Sequence, residues 1–295
     1  MSIEEETDEA VLDLATSENV VLLCCIAPFP PTRITPTQTI TASFRFPDEY
    51  AVEEFVSLID NRYPEKENRP PLYLLIHSPG GTVSSSYVVS LVLRKCFNQI
   101  VAFIPHVAAS GASIMVLSCN EVVMGDISRL TGIDPSLGDT YALNVIRAFD
   151  NLVDVFSTRT AEETPYPFRH LLESITAEKY DEATHILELV RDYTTELMEA
   201  ANYSNDDIKK IIKGLLYDVQ SHEEVFMLDR IKELGVKAKR YSEDERFARA
   251  WVVMNRWLKK YYLQPSPIHI IKYALPTPET ESLEGNNNND SGTYD

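Results

Sequence analysis

Regular patterning begins at Val20, where seven apolar residues, Val20-Val-Leu-Leu-Cys-Cys-Ile26, run toward prolines at 28, 30 and 31. A run this short, closed by proline, predicts a buried strand. A polar stretch over 32–41 follows. Residues 47–62 then place Tyr50, Val52, Phe55, Val56 and Ile59 at near-helical spacing, and a charged, proline-rich loop covers 64–71. The next sixty residues alternate. Leu72-Tyr-Leu-Leu-Ile-His77 reads as a strand, and 78–82 as a tight turn. Val83, Tyr87, Val88 and Leu91 mark one face of a helix running to about 97. Residues 100–104 predict a strand, 109–119 a helix and 121–124 a short strand. Strands alternating with helices at this spacing predict an α/β fold with a mostly parallel sheet.

Beyond Pro135 the pattern lengthens into helices over 141–157 and 178–201. Tyr180, Ala183, Ile186, Leu187, Val190 and Tyr193 form the apolar stripe of the second. Asn205-Asp206-Asp207 opens a helix over 208–217. A further helix covers 225–234 and stops at Gly235, and a last amphipathic one spans 244–261. From 265 the signals fade, and the asparagines at 286–289 lie in an acidic tail that reads as disordered. The expected division is an acidic segment over 1–19, a core domain over 20–240, a C-terminal helix over 241–264 and a tail over 265–295. No internal repeat is visible.

Charge sharpens this picture. The 295 residues carry 27 Lys and Arg against 45 Asp and Glu, a net −18. Residues 1–19 hold seven acids and 274–295 hold five, with no base in either, which leaves −6 between them. So acidic a chain is not expected to bind nucleic acid or anionic membrane, which call for clustered Lys and Arg. The early apolar run is far shorter than the roughly 20 residues that span a bilayer. Four scattered cysteines, Cys24, Cys25, Cys96 and Cys119, form neither a disulfide framework nor a metal pair. A cytoplasmic, reduced setting is expected. No HExxH, P-loop or GxGxxG after a strand is present, so no metal, cofactor or ATP hydrolysis is expected.

Two places combine unusual sequence with a chemical reason for it. Ser78-Pro-Gly-Gly81 sits where a strand ends and a helix begins. Paired glycines there free backbone N–H groups to face a cleft, and the helix N-terminus favours negative charge, which suits an oxyanion. A plain strand-to-helix turn is the alternative. His106-Val-Ala-Ala-Ser110-Gly-Ala-Ser113 follows the next strand and opens the next helix. A serine in that position is commonly an N-cap. Here, small neighbours on both sides allow a substrate close to the hydroxyl, and Gly111 offers an N–H beside it. Both motifs lie at the carboxyl ends of consecutive strands, where α/β folds gather ligands.

The pairing of Ser78-Pro-Gly-Gly81 with Ala108-Ala-Ser110-Gly, 29 residues from Gly81 to Ser110, resembles the ClpP/crotonase superfamily and its serine-protease branch. The stretch 118–135, with Gly132-Ile-Asp-Pro135, is similar to the serine dehydrogenase proteinase family, as are Ser221-His-Glu-Glu and Lys232-Glu-Leu-Gly-Val236. The resemblance covers roughly 20–240. It implies a core of repeated β-β-α units with a helical C-terminal half, a peptide or protein substrate, and a homo-oligomer. It assigns the nucleophile to Ser110, with Ser113 as rival, and the oxyanion N–H groups to Gly111 and to the Gly80–Gly81 pair. The histidine of ClpP-type triads would fall at Asp134 or Pro135, and no histidine lies between His106 and His170. Relatives of the signal peptide peptidase type use a lysine kept neutral by burial, and the first lysine after Ser110 is Lys179. Lys179 is therefore the candidate base, with His170 and His185 as alternatives. Asp134 is expected to shape its loop. Two other functions fit the same fold: a scaffold that has lost its base, and a crotonase-like acyl-thioester enzyme.

Overall fold

Both faces of the central strands are apolar, and the structure buries both. The computed structural model describes residues 3–29, 32–35, 38–158, 163 and 176–277. In chain order the elements are α1 (Ile3–Ser17), β1 (Val21–Ile26), β2 (Thr32–Thr35), β3 (Gln38–Ile40), α2 (Phe46–Arg62) and β4 (Leu72–His77). Then come α3 (Val83–Cys96), β5 (Ile100–Ile104), β6 (Val107–Ala108), α4 (Gly111–Leu117), β7 (Glu121–Met124) and β8 (Arg129–Thr131). A small hairpin, β9 (Ser136–Leu137) and β10 (Thr140–Tyr141), leads into α5 (Ala142–Phe156), α6 (Ala177–Ala200) and α7 (Asn205–Ile212). The chain continues through β11 (Val225–Phe226), α8 (Leu228–Glu233), β12 (Ala238–Arg240), α9 (Glu245–Tyr262) and β13 (Ile270–Ala274).

The main sheet has the order β12-β7-β5-β4-β1-β13 and is parallel except for β13, which pairs antiparallel with β1. Alternation along each strand divides the core. Leu72, Leu74 and Ile76 of β4 face α2, α3 and α4, whereas Tyr73 and Leu75 face α1 and α9. Strands buried on both faces read as continuous apolar runs, which is why β1, β4 and β5 were visible in the sequence.

A second, shorter layer positions the site. Phe44 bridges Gly81, Ser78 bridges Ala108, β6 pairs with β8, and β8 pairs with β11. Each unit thus sends one strand into the main sheet, a few residues into the second layer, and then a helix across it. These are the repeated β-β-α units that the resemblance implies, with α5, α6 and α7 packed beside them. Tyr87 of α3 stacks on Tyr193 of α6 at 3.8 Å between ring centroids, and its hydroxyl donates to Glu196 Oε2 at 2.6 Å.

Several expectations change. The acidic segment over 1–19 forms α1, whose Val11, Leu14 and Ala15 are buried, while Asp8 and Asp13 pair with Lys260 and Arg249 of α9. Its acids lie off the apolar face, so charge and burial coexist on one helix. Residues 265–277, expected to begin the unstructured tail, include β13. Its strand covers the β1 edge and so lies within the sheet. The start of the expected 225–234 helix is instead strand β11, because Val225 and Phe226 find partners at Thr131 and Leu130. The helix expected at 109–119 begins at Gly111.

Candidate active site

The turn after β4 is built around Gly80 and Gly81. Gly80 has φ +107°, a conformation open to glycine, and its N–H donates to Ser78 Oγ at 3.0 Å. A Cβ on Gly81 would lie 2.3 Å from the Phe44 nitrogen. The turn is clamped there, with Phe44 N–H donating to Gly80 O at 2.8 Å and Thr82 N–H to Phe44 O at 3.0 Å. Among the described residues the Gly81 N–H has no protein acceptor. The amide pair expected from Gly80 and Gly81 therefore reduces to Gly81, since the Gly80 N–H is occupied by the turn itself.

Ser110 is the residue before α4 and sits at φ 51°, ψ −121°. Few non-glycine residues adopt such backbone, and holding it costs on the order of 1–3 kcal/mol. Its N–H donates to Thr131 Oγ1 at 2.9 Å. Its hydroxyl has no protein partner among the described residues and faces a cleft of ≈ 340 Å³. Gly81, Thr82, Gly111, Ile133, Ile186 and Leu189 are among the residues around that cleft. Gly111 is confined on the other side: a Cβ there would fall 2.2 Å from Ser86 Oγ and 3.2 Å from the Gly81 nitrogen. The Gly111 amide is thus close to that of Gly81, and it too lacks a protein acceptor among the described residues. Two free N–H groups and one free hydroxyl meet at the mouth of two helix N-termini, an arrangement that favours developing negative charge.

Ser113 is different. It is fully buried, and its Oγ lies 2.9 Å from Ala108 O and 3.0 Å from Thr131 O, so it ties α4 to β6 and β8. A serine enclosed in this way cannot meet a substrate. Asp134 behaves as a loop anchor: it is buried, its Oδ1 accepts the Leu143 N–H at 3.0 Å, and burial raises its pKa to about 6.

No titratable side chain lines the Ser110 cleft among the described residues. Lys179 lies in the first turn of α6 and borders a neighbouring hollow with Leu137, Gly138, Asp139 and Thr140. It is two helical turns, about 10 Å, from Ile186 at the edge of the Ser110 cleft. His185 is one turn before Leu189 on that helix, exposed, with Nδ1 3.4 Å from Asp181 Oδ2. His170 lies outside the described residues. His77 and His106 stack on each other at 5.3 Å and belong elsewhere, with His77 packing edge-on against Tyr262 of α9. Burial, then the fields of His106 and Arg129, lower the His77 pKa to about 4. The structure therefore brings Ser110, Gly81 and Gly111 together and leaves Lys179 and His185 on the rim. Thr131 escaped the sequence reading; its one visible sign was its place beside the Gly132–Pro135 motif.

Over residues 62–281 the chain matches the family described as ClpP-like SDH-type serine proteinase. Among curated proteins it is similar to two uncharacterized proteins of Methanocaldococcus jannaschii. MJ1495 is 25% identical over 57% of this chain and 51% of its own length, and MJ0137 is 24% identical over 56% and 52%. The chain spans about half the length of these relatives. Among solved structures it is similar to a mutant of a membrane-bound stomatin-specific protease in complex with a substrate peptide. That likeness has TM-score 0.40 and 10% identity, and covers 67% of this chain and 70% of that one. No helix among the described residues is long and apolar enough to cross a membrane. With a match that runs through most of its length, the chain belongs to the ClpP-like SDH-type serine proteinase family.

Proposed function

We propose that the protein is a serine peptidase in which Ser110 attacks the peptide carbonyl, with the Gly81 and Gly111 N–H groups receiving the oxyanion. The observation that carries this reading is the strained Ser110, held with a free hydroxyl beside two free amides in one cleft. The serine oxygen bonds to the carbonyl carbon, and the two amides take up the charge that develops on the carbonyl oxygen. The Ser110 proton passes to the base and on to the leaving nitrogen as the C–N bond breaks; water then attacks the acyl carbonyl, the serine–acyl bond breaks, and a proton from the water returns to Ser110 Oγ. Removing one such donor slows this class of reaction by about 100- to 1000-fold. Lys179 is the base in this reading, from its place in the first turn of α6 beside the β9–β10 hairpin. A serine needs such a base to become an effective nucleophile. The four cysteines, all free and buried, suit a reducing cytoplasm.

A second reading, a scaffold of the same fold without catalysis, is favoured by one observation: the cleft lining carries no titratable group among the described residues. Incubation with a diverse peptide mixture, read by mass spectrometry, separates the two. Cleavage by the wild type and none by Ser110→Ala supports the peptidase. Identical peptide profiles for both favour the scaffold.

A further inference from the structure

Behind the Gly80–Gly81 turn lies a buried chain of polar groups that the cleft does not contain. Ser78 Oγ accepts the Gly80 N–H at 3.0 Å and lies 2.8 Å from His269 Nε2. His269 Nδ1 stands 3.3 Å from Asp48 Oδ1, a close polar approach rather than a formed hydrogen bond, and neither of those two atoms has a hydrogen-bond partner among the described residues. Asp48 Oδ2 accepts the Arg45 N–H at 2.8 Å, which fixes the carboxylate at the start of α2. The Ser78 hydroxyl has two partners besides the Gly80 N–H, His269 Nε2 at 2.8 Å and Gly80 O at 3.4 Å, so it joins the turn to the histidine ring, whose other nitrogen faces Asp48. The order Ser-His-Asp invites a hydrolytic reading, but Ser78, His269 and Asp48 are at most 3% exposed and lie behind the turn, out of a substrate's reach.

The same histidine also touches the turn's other support. Its ring stacks on Phe44 at 4.1 Å and 20°, and the Phe44 backbone is what brackets Gly81. His269 therefore grips both sides of the turn, Gly80 through Ser78 and Gly81 through Phe44. A buried polar group is costly away from its partners, so the 2.8 Å Ser78–His269 contact and the ring stack on Phe44 favour the one conformation in which both are made.

We infer that Ser78, His269 and Asp48 are positioning residues that hold the Gly80–Gly81 turn so that the Gly81 N–H faces the Ser110 cleft. The inference rests on the peptidase reading. It makes the segment leading into β13, far from Ser110 in sequence, a requirement of the site.

The test is the kinetics of labelling by a fluorophosphonate, whose phosphoryl oxygen occupies the oxyanion position, on the full chain and on Ser78→Ala, His269→Phe and His269→Gln. Misplacing a catalytic group by about 1 Å lowers rates roughly 100-fold. Folded Ser78→Ala and His269→Phe should lose about that much in kinact with KI changed less than about threefold, and His269→Gln, which retains a partner for Ser78, should recover most of it. If one of the first two does not fold, the other together with His269→Gln decides. A folded His269→Phe or Ser78→Ala labelled at the wild-type rate overturns the inference alone. Equal loss in His269→Gln and His269→Phe also overturns it, because the hydrogen bond would then be irrelevant. A folded wild type that forms no Ser110 adduct overturns the peptidase reading and this inference with it.

Discussion

The Ser110 N–H donates to Thr131 Oγ1 at 2.9 Å, so the serine that faces the cleft has its own amide turned away from it. The bond ties the strained residue to β8 of the second layer, and the Thr131 carbonyl is in turn close to Ser113 Oγ. Replacing Thr131 with valine keeps the shape and removes the acceptor. A buried donor left without an acceptor costs about 1–3 kcal/mol, and the half-buried Ser110 N–H should cost toward the low end of that range. Thr131→Val should unfold at lower urea, with an undiminished m-value, and label at Ser110 more slowly. Wild-type stability together with a wild-type labelling rate would show that the strain is held elsewhere.

Ser113 and Ser110 should separate cleanly. Ser113→Ala removes a buried clamp and should lower stability by about 1 kcal/mol while leaving an adduct on Ser110. Ser110→Ala removes the adduct, and by removing the hydroxyl alone leaves the fold intact. Intact mass and chemical denaturation read both, and an adduct that disappears with Ser113→Ala in a folded protein would reverse the assignment.

The glycines are not equivalent. Gly81→Ala sets a methyl 2.3 Å from backbone, and Gly80→Ala combines positive φ with a contact at 2.6 Å to Ala109 O. Both should be destabilised by at least about 1–3 kcal/mol, because backbone cannot yield as a side chain does. Gly138 has φ +63° but open space around it, so Gly138→Ala should lose only the conformational cost of about 1–2 kcal/mol. Thermal unfolding of the three variants gives the order, and a Gly138→Ala as damaged as Gly81→Ala would contradict it.

Stability should depend on pH through two groups of opposite sign. His77 is lowered from 6.5 to about 4, so the unfolded chain takes up its proton first. This term is fully present above about 6.5 and is lost as pH falls toward 4. Asp134 is raised from 3.8 to about 6, so its term is fully present below about 3.8 and is lost as pH rises through 6. The two partly cancel. His77→Gln should leave a protein whose urea midpoint falls with rising pH across this window relative to wild type, and Asp134→Asn one whose midpoint rises. Parallel pH profiles for all three proteins would remove both assignments.

Much of this arrangement was legible in sequence, and the reason is local. Buried parallel strands declare themselves as apolar runs, and a glycine pair or a serine among alanines stands out at the end of one. The second layer did not declare itself, because the two residues of β6 and the three of β8 form strands only by meeting partners across the fold. His269 and Asp48 were hidden for a related reason. A histidine in a segment read as tail and an aspartate in a helix's first turn signal nothing until the fold sets them 3.3 Å apart. Helix α1 was misread because its acids were weighed without the spacing of Val11, Leu14 and Ala15.

If Ser110 is an activated nucleophile, it reacts with a fluorophosphonate, and intact-mass labelling of the full chain followed by peptide mapping reads that reaction. One adduct per chain is expected, on Ser110, absent from Ser110→Ala and retained in Ser113→Ala. A folded wild-type protein that stays unmodified, or one modified at another serine, would contradict that assignment.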